Sequence, residues 1–219
     1  MTTHRSLVVG STGLVGEEVV KELVAKGIPV KALSRIDLNS PNPLVENIKV
    51  NFDCLHEYKE HFKEVSDVYI CLGTTISKAG SEEAFEKVDI DYCLETAKQA
   101  LNAGVKNLSL ITSVGADSGS SNFYLRTKGI VEDKISKLDF PSLSIHRPGL
   151  LIGPRKEMRL AEFLGQKIYP LINFFLLGIL SKFRCIKAKV LARAMIKCSG
   201  IEQGTHYYFY NDFIEKGSN

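Results

Sequence analysis

Apolar residues recur along this chain with two different periods, and the periods take turns. "RSLVVG" (Arg5–Gly10) is a short, nearly continuous apolar run ending in glycine, which predicts a strand. From Leu14 to Lys26 the spacing changes: Val15, Val19 and Leu23 recur on one side with Val20 and Val24 beside them, as on one face of a helix. "PVKALS" (Pro29–Ser34) and "NIKVNF" (Asn47–Phe52) read as the next two strands. "DVYICLG" (Asp67–Gly73) is a fourth, apolar almost throughout, as strands covered on both faces tend to be. A long helix is expected over Ser81–Ala103, opened by serine and glutamates and closed by Gly104. Then come a fifth strand, "NLSLITS" (Asn107–Ser113), a helix over Ser120–Ile135 and a sixth strand, "SLSIHR" (Ser142–Arg147). A late helix, Ala188–Cys198, precedes a last strand-like run, "THYYFY" (Thr205–Tyr210). Strands alternating with helices of this length imply an α/β domain with a parallel, doubly wound sheet. Its right-handed crossovers place helices on both faces. In such a sheet ligands sit at the carboxyl ends of the strands, which directs attention to the residues just after each one.

Composition narrows the classes. The chain has 219 residues, 44% hydrophobic and 24% charged, enough for one domain with a sizeable core. The net charge is only +3 and the basic residues are scattered, so no nucleic-acid footprint is expected. Five cysteines without a C-x-x-C spacing, and five histidines without ligand spacing, argue for buried thiols in a reducing cytoplasm and against a metal. The start, "MTTHRSLVVG", lacks the apolar stretch of a signal peptide. "IYPLINFFLLGILS" (Ile168–Ser181) is uncharged over 14 residues. That is short of the roughly 20 needed to cross a bilayer. It reads first as a lid or core helix over a pocket, second as an interface with another copy or a protein partner, and last as a membrane contact.

The first strand end reads "GSTGLVG", with Gly10, Gly13 and Gly16 spaced G-x-x-G-x-x-G around Ser11 and Thr12. Glycine serves where the chain turns sharply and where backbone must meet a pyrophosphate without a side chain between. Leu14, Val15 and Gly16 open the helix, whose unpaired N–H groups favour phosphate. Following a strand and starting a helix is the context that gives the motif meaning; a plain tight turn is the alternative. At the second strand end Ser34 and Arg35 occupy the place that chooses between cofactors. A guanidinium there suits the 2′-phosphate of NADP(H), whereas Asp37, two residues on, would serve a ribose of NAD(H). After the third strand Asp53 is expected either to accept from an adenine amino group or to cap the helix from Leu55. After the fourth, Leu72, Gly73, Thr74 and Thr75 offer close backbone approach and small hydroxyls to the second half of a dinucleotide. "HRPG" ends the sixth strand: Pro148 lacks a donor and Gly149 permits positive φ, so the chain is expected to turn beside the nicotinamide. Arg147 joins that set, or else it and His146 form a buried ion pair or strand-end cap.

"SSNFYLRTKG" places Tyr124 and Lys128 four residues apart, on one face of the expected helix. A phenol with an ordinary pKa of about 10 exchanges protons poorly near neutrality, and a neighbouring ammonium lowers that value. Ser113, at the end of the fifth strand, is placed to donate a hydrogen bond to a carbonyl oxygen. Together they equip a site for hydride transfer to a carbonyl, with Tyr124 as general acid/base. No G-x-S-x-G elbow supports a hydrolase.

This set resembles the short-chain dehydrogenase/reductase superfamily in its atypical, NAD(P)-binding branch. "CLGTTISKAGSEEAFEKVDIDY", "SVGADSGSSNFYLRTKG" and "HRPGLLIGPR" look like the Tat-interacting-protein-like oxidoreductases. The likeness covers roughly residues 7–165 and is loose beyond them. It implies a Rossmann fold, NADPH as ligand, a small carbonyl substrate and the Ser113, Tyr124 and Lys128 roles above, with the lysine also holding the nicotinamide ribose. One NAD(P)-binding domain over residues 1–219 is expected, with 150–205 supplying the substrate pocket or lid. The Asn-Asn-Ala-Gly segment of better-known relatives is replaced by "CLGTT". Members of the subgroup also act as regulatory or assembly proteins, so a cofactor-binding protein with little turnover is the second expectation.

Overall fold

In a computed structural model, residues 4–37, 40–153 and 178–218 are described. Most of the apolar run Ile168–Ser181, and with it the expected lid or interface, lies outside them. The strands are β1 (Ser6–Val9), β2 (Val30–Ser34), β3 (Val45–Lys49), β4 (Asp67–Ile70), β5 (Asn107–Ile111), β6 (Ser142–His146), β7 (Leu151–Ile152), β8 (Ile186–Lys187) and β9 (Gly204–Tyr208). The helices are α1 (Leu14–Ala25), α2 (Ile76–Ala79), α3 (Glu82–Glu86), α4 (Tyr92–Asn102), α5 (Phe123–Ser136), α6 (Ala188–Cys198) and α7 (Tyr210–Gly217). Seven strands form one sheet in the order β3-β2-β1-β4-β5-β6-β9, every neighbouring pair parallel. β7 and β8 pair separately. This is a Rossmann-type fold. The chain works outward from β1 to β3, then returns to the other side of β1 with β4, so a crevice opens between the β1 and β4 ends. Among the described residues no helix is long and apolar enough to cross a membrane.

Each central strand feeds two cores. Leu7 and Val9 of β1, with Val68 and Ile70 of β4, pack on one face against Ala97 of α4 and Val131 of α5. Val8 and Tyr69 point the other way, into a core with Val19 of α1, Leu191 of α6 and Phe213 of α7. Because side chains alternate with period two, a one-residue slip of β1 would exchange its partners on both faces at once. With each buried aliphatic side chain contributing roughly 1.5–3 kcal/mol, the register of the sheet is strongly specified. The carboxyl-end loops are therefore held in fixed positions.

The expected elements are present, with boundaries moved for identifiable reasons. β3 begins at Val45 rather than Asn47 because its five residues follow the five of β2 in register. Phe52 leaves the strand because the Asn51 side chain accepts from the Asp53 N–H, starting a 3-10 segment over Phe52–Phe62. Tyr210 belongs to α7, since the Phe209 N–H donates to the Asp212 carboxylate at 2.7 Å. The long helix runs from α3 to α4 but winds as a π-helix over Lys87–Asp91. It starts where Ser81 accepts from the Ala84 N–H and stops before Gly104, whose φ is +82°.

Candidate functional site

The glycine loop holds β1, α1 and β4 in contact. Gly10 has φ +82°, and a Cβ there would lie 2.7 Å from the Cys71 carbonyl oxygen. A Cβ on Gly16 would lie 2.2 Å from the Gly10 carbonyl oxygen. Both positions admit only glycine. Gly13 is different: φ is −80° and its Cβ would sit 3.2 Å from the Gly10 oxygen, a tight contact rather than a collision. As the residue preceding α1 it brings no side chain to cap the helix, so the first-turn N–H groups of Leu14, Val15 and Gly16 have no side-chain cap. A backbone N–H cradle stripped of side chains fits a pyrophosphate. The Ser11 hydroxyl is already used, donating to the Leu33 carbonyl at 3.1 Å, and fastens the loop to β2. Thr12 is half-buried beside it.

Beyond β2 and β3 lies a cleft of about 540 Å³, lined among others by Arg35, Lys49, Asn51, Phe52, Asp53 and Tyr92. Arg35 is exposed at its edge. The Ser34 hydroxyl donates to the Ile36 carbonyl, shaping the turn that carries Arg35. Asp53 does not cap the following helical segment; Asn51 does. Instead the Asp53 Oδ1 receives Lys87 Nζ and the Tyr92 hydroxyl, each at 2.6 Å. Lys87, and after it Tyr92, hold that carboxyl below its ordinary range.

On the other side of the crevice α5 begins at Asn122, whose side chain accepts from the Leu125 N–H. Tyr124 is exposed, whereas Lys128 one turn later is buried, its Nζ 5.8 Å from the centre of the Tyr124 ring. The two converge as the i, i+4 spacing predicts. Lys128 Nζ is also 2.5 Å from Asp89 Oδ1, and Asp89 Oδ2 accepts from the Thr74 N–H at 3.0 Å. Burial alone would push the ammonium down, but the Asp89 carboxylate outweighs it and holds Lys128 above its ordinary value. A Cβ on Gly73 would come within 3.9 Å of that ammonium, so Lys128 lies directly behind the loop after β4. Asp89 was not legible beforehand. It is one of six acidic residues between Glu82 and Glu95, and the π-helical turn shifts the phase by which its face would be assigned.

The remaining candidates divide. Leu72 packs against the core, and the Thr75 side chain accepts from the Lys78 N–H, capping α2. Ser113 is half-buried and, among the described residues, its hydroxyl donates to the neighbouring Val114 carbonyl at 3.3 Å. The Val114 N–H donates to the Pro148 carbonyl at 2.9 Å, which sets Ser113 beside the turn after β6. Gly149 does not have the positive φ expected of it. It is glycine because a Cβ would lie 2.6 Å from the Arg184 carbonyl oxygen, where the chain ahead of β8 crosses. Arg147 takes the ion-pair alternative: Nε is 3.0 Å from Glu132 Oε1, a second nitrogen meets Oε2, and the guanidinium lies over Tyr207. Glu132, buried on α5, also accepts from the Thr112 hydroxyl at 2.5 Å. Among the described residues no group of three or more His, Cys, Asp or Glu is placed to hold a metal ion.

Residues 10–140 match a protein family described as NAD(P)H-binding. The chain is 36% identical over 174 residues to Protein HTATIP2 of Rattus norvegicus, covering 77% of this chain and 72% of that protein. It is 38% identical over 162 residues to the protein called FMP52, mitochondrial, of Candida albicans, covering 69% of each. Among solved structures it is similar to a UDP-N-acetylglucosamine 4-epimerase from Methanobrevibacter ruminantium M1, with TM-score 0.73 and 16% identity over 95% of this chain and 77% of that one. MoeE5 in complex with UDP-glucose and NAD gives TM-score 0.71 and 16% identity, covering 96% of this chain and 80% of that one. The two structural likenesses establish the shared fold.

Proposed function

The chain belongs to the NAD(P)H-binding family, and from that premise we propose that it is an NADPH-dependent oxidoreductase of the short-chain dehydrogenase/reductase type. The observation that carries this reading is Lys128, buried behind Gly73 at the end of β4 with its ammonium 5.8 Å from the Tyr124 ring. Bound in the crevice, reduced cofactor would supply a hydride to the carbonyl carbon of a small substrate. The Tyr124 phenol gives its proton to the carbonyl oxygen, completing an alcohol, and Ser113 donates a hydrogen bond to that oxygen. Lys128, its ammonium 5.8 Å from the Tyr124 ring, supplies in this reading a positive charge beside the phenol and a donor to the nicotinamide ribose. Arg35 favours the phosphorylated cofactor. Part of the substrate pocket or lid expected from residues 150–205, and most of the lid or interface expected from 168–181, falls outside the described residues. The compartment is read as the reducing cytoplasm from five widely spaced cysteines without a C-x-x-C, although fungal relatives carry the mitochondrion in their names.

A second reading rests on the Asp89–Lys128 contact. A carboxylate 2.5 Å from the ammonium already engages Lys128 and ties it to the loop after β4, which suits a protein that binds cofactor and turns over little. Two variants separate the readings. Tyr124→Phe keeps the ring, so NADPH affinity should survive while turnover falls by roughly 10²–10⁴-fold. Lys128→Ala should weaken affinity and turnover together. A binding protein would lose affinity in Lys128→Ala and show nothing in Tyr124→Phe. Full activity and affinity in both variants would end the oxidoreductase reading.

A further inference from the structure

The cleft beside Arg35 contains a second cation that the family pattern does not call for. β2 and β3 pair in register with Ser34 opposite Lys49, and the Val50 N–H donates to the Ser34 carbonyl at 2.9 Å. This pairing sets Lys49 on the neighbouring strand, directly across from the residue before Arg35. Both side chains line the same cleft of about 540 Å³. We infer that Lys49 is a specificity-determining residue, the second arm of a clamp on the 2′-phosphate of NADPH; the inference rests on the cofactor reading above.

Charge accounting in the cleft supports the assignment. Its carboxylate, Asp53, already has Lys87 at 2.6 Å and the Tyr92 hydroxyl at the same distance. The Arg35 and Lys49 side chains make no ion pair or hydrogen bond among the described residues. Among the described residues, two cations without a counter-ion thus face one cleft whose one lining carboxylate is occupied. A phosphate monoester carries close to two negative charges at neutral pH and three acceptor oxygens. Arg35 offers it a planar fork of donors and Lys49 a compact point charge from the other side. A ribose hydroxyl offers neither cation a counter-charge, so their effect on NADH should be small. The plain alternative is a lysine that keeps an open edge strand soluble, since β3 ends the sheet.

Calorimetric titration of the full chain with NADPH, NADH and 2′,5′-ADP tests the clamp. The last probe keeps the adenosine and its 2′-phosphate and lacks the nicotinamide. Lys49→Gln should weaken NADPH and 2′,5′-ADP by about tenfold, the scale of one charged hydrogen bond, and leave NADH within about twofold. Lys49→Arg should restore most of the loss. Raising the salt concentration should weaken 2′,5′-ADP less in Lys49→Gln than in wild type, because one charge fewer is being screened. Equal weakening of NADPH and NADH would show that Lys49 shapes the pocket rather than reading the phosphate. No change for any ligand would make it the edge-strand lysine. If Arg35→Gln is selective for NADPH while Lys49→Gln is silent, the cofactor reading stands and this inference falls. A wild-type protein that binds NADH as tightly as NADPH would overturn both.

Discussion

His146 ends β6 with no exposed surface, its ring stacked 5.2 Å from Tyr208 and tilted 6.0 Å from Phe213. Neither ring nitrogen has a hydrogen-bond partner among the described residues. Burial therefore pushes its pKa down to about 3, and the imidazole is neutral at pH 7. Such a group binds a proton more readily unfolded than folded, so its contribution to stability is complete above about pH 6.5 and erodes as the pH falls. The loss is about 1.4 kcal/mol per pH unit and levels off near the folded pKa. His146→Phe keeps a stacking ring and removes the proton site. Urea unfolding at pH 7 and at pH 4.5 should show the wild-type gap shrinking by about 2–3 kcal/mol in the variant. An unchanged gap would assign the acid sensitivity to other groups. With neither ring nitrogen hydrogen-bonded among the described residues, the buried imidazole has no part in the proposed proton transfer.

At the scale of the element, α1 separates two uses of glycine. Gly13 marks the open, uncapped start of the helix, and Gly16 is where the helix backbone touches the loop. Gly13→Ala puts a methyl 3.2 Å from the Gly10 oxygen, which a few tenths of an ångström can relieve, so the fold should persist. NADPH affinity should nevertheless fall, since the methyl enters the space the pyrophosphate needs. Gly16→Ala would place its methyl 2.2 Å from the same oxygen. Helix and loop must then part, at a cost of about 1–3 kcal/mol of the kind seen for overpacked cores. Thermal unfolding and cofactor titration on both variants check the distinction. Unaltered NADPH binding in Gly13→Ala would reduce the loop to a turn. α3 and α4 show a second use of local geometry. The π-helical turn between them brings Asp89 to the Thr74 N–H and Lys128, fastening two elements that flank the crevice.

Across the whole molecule, Glu132 holds the far end of the sheet together. Its carboxylate joins α5 to Arg147 after β6 and to Thr112 after β5, while the Arg147 N–H donates to the Tyr208 carbonyl of β9. Glu132→Ala leaves a partly buried guanidinium and a hydroxyl without their acceptor, which should cost about 3 kcal/mol of global stability. NADPH affinity is expected to stay at the wild-type level, because the Arg147 guanidinium is engaged by Glu132 and lies over Tyr207. A parallel loss of affinity would return Arg147 to the cofactor contacts expected from its position after a strand.

The amino-acid sequence determined the parts of this protein that depend on a residue's relation to its own backbone neighbours. The alternation of periods, the glycine loop opening α1 and the four-residue step from Tyr124 to Lys128 are of that kind, and each is found where the pattern puts it. The starts of β3 and β9, at Val45 and Gly204, escaped because pairing with β2 and β6 decides them. The same holds for the partners of charged groups. Asp89 and Lys128 are 39 positions apart, and Lys49 meets the Ser34–Arg35 turn only through the register of two strands. With 25 acidic residues available, composition cannot choose one counter-ion over another. The choice falls to tertiary structure, because an ion pair depends on distance in space, and strand order and register bring distant residues together.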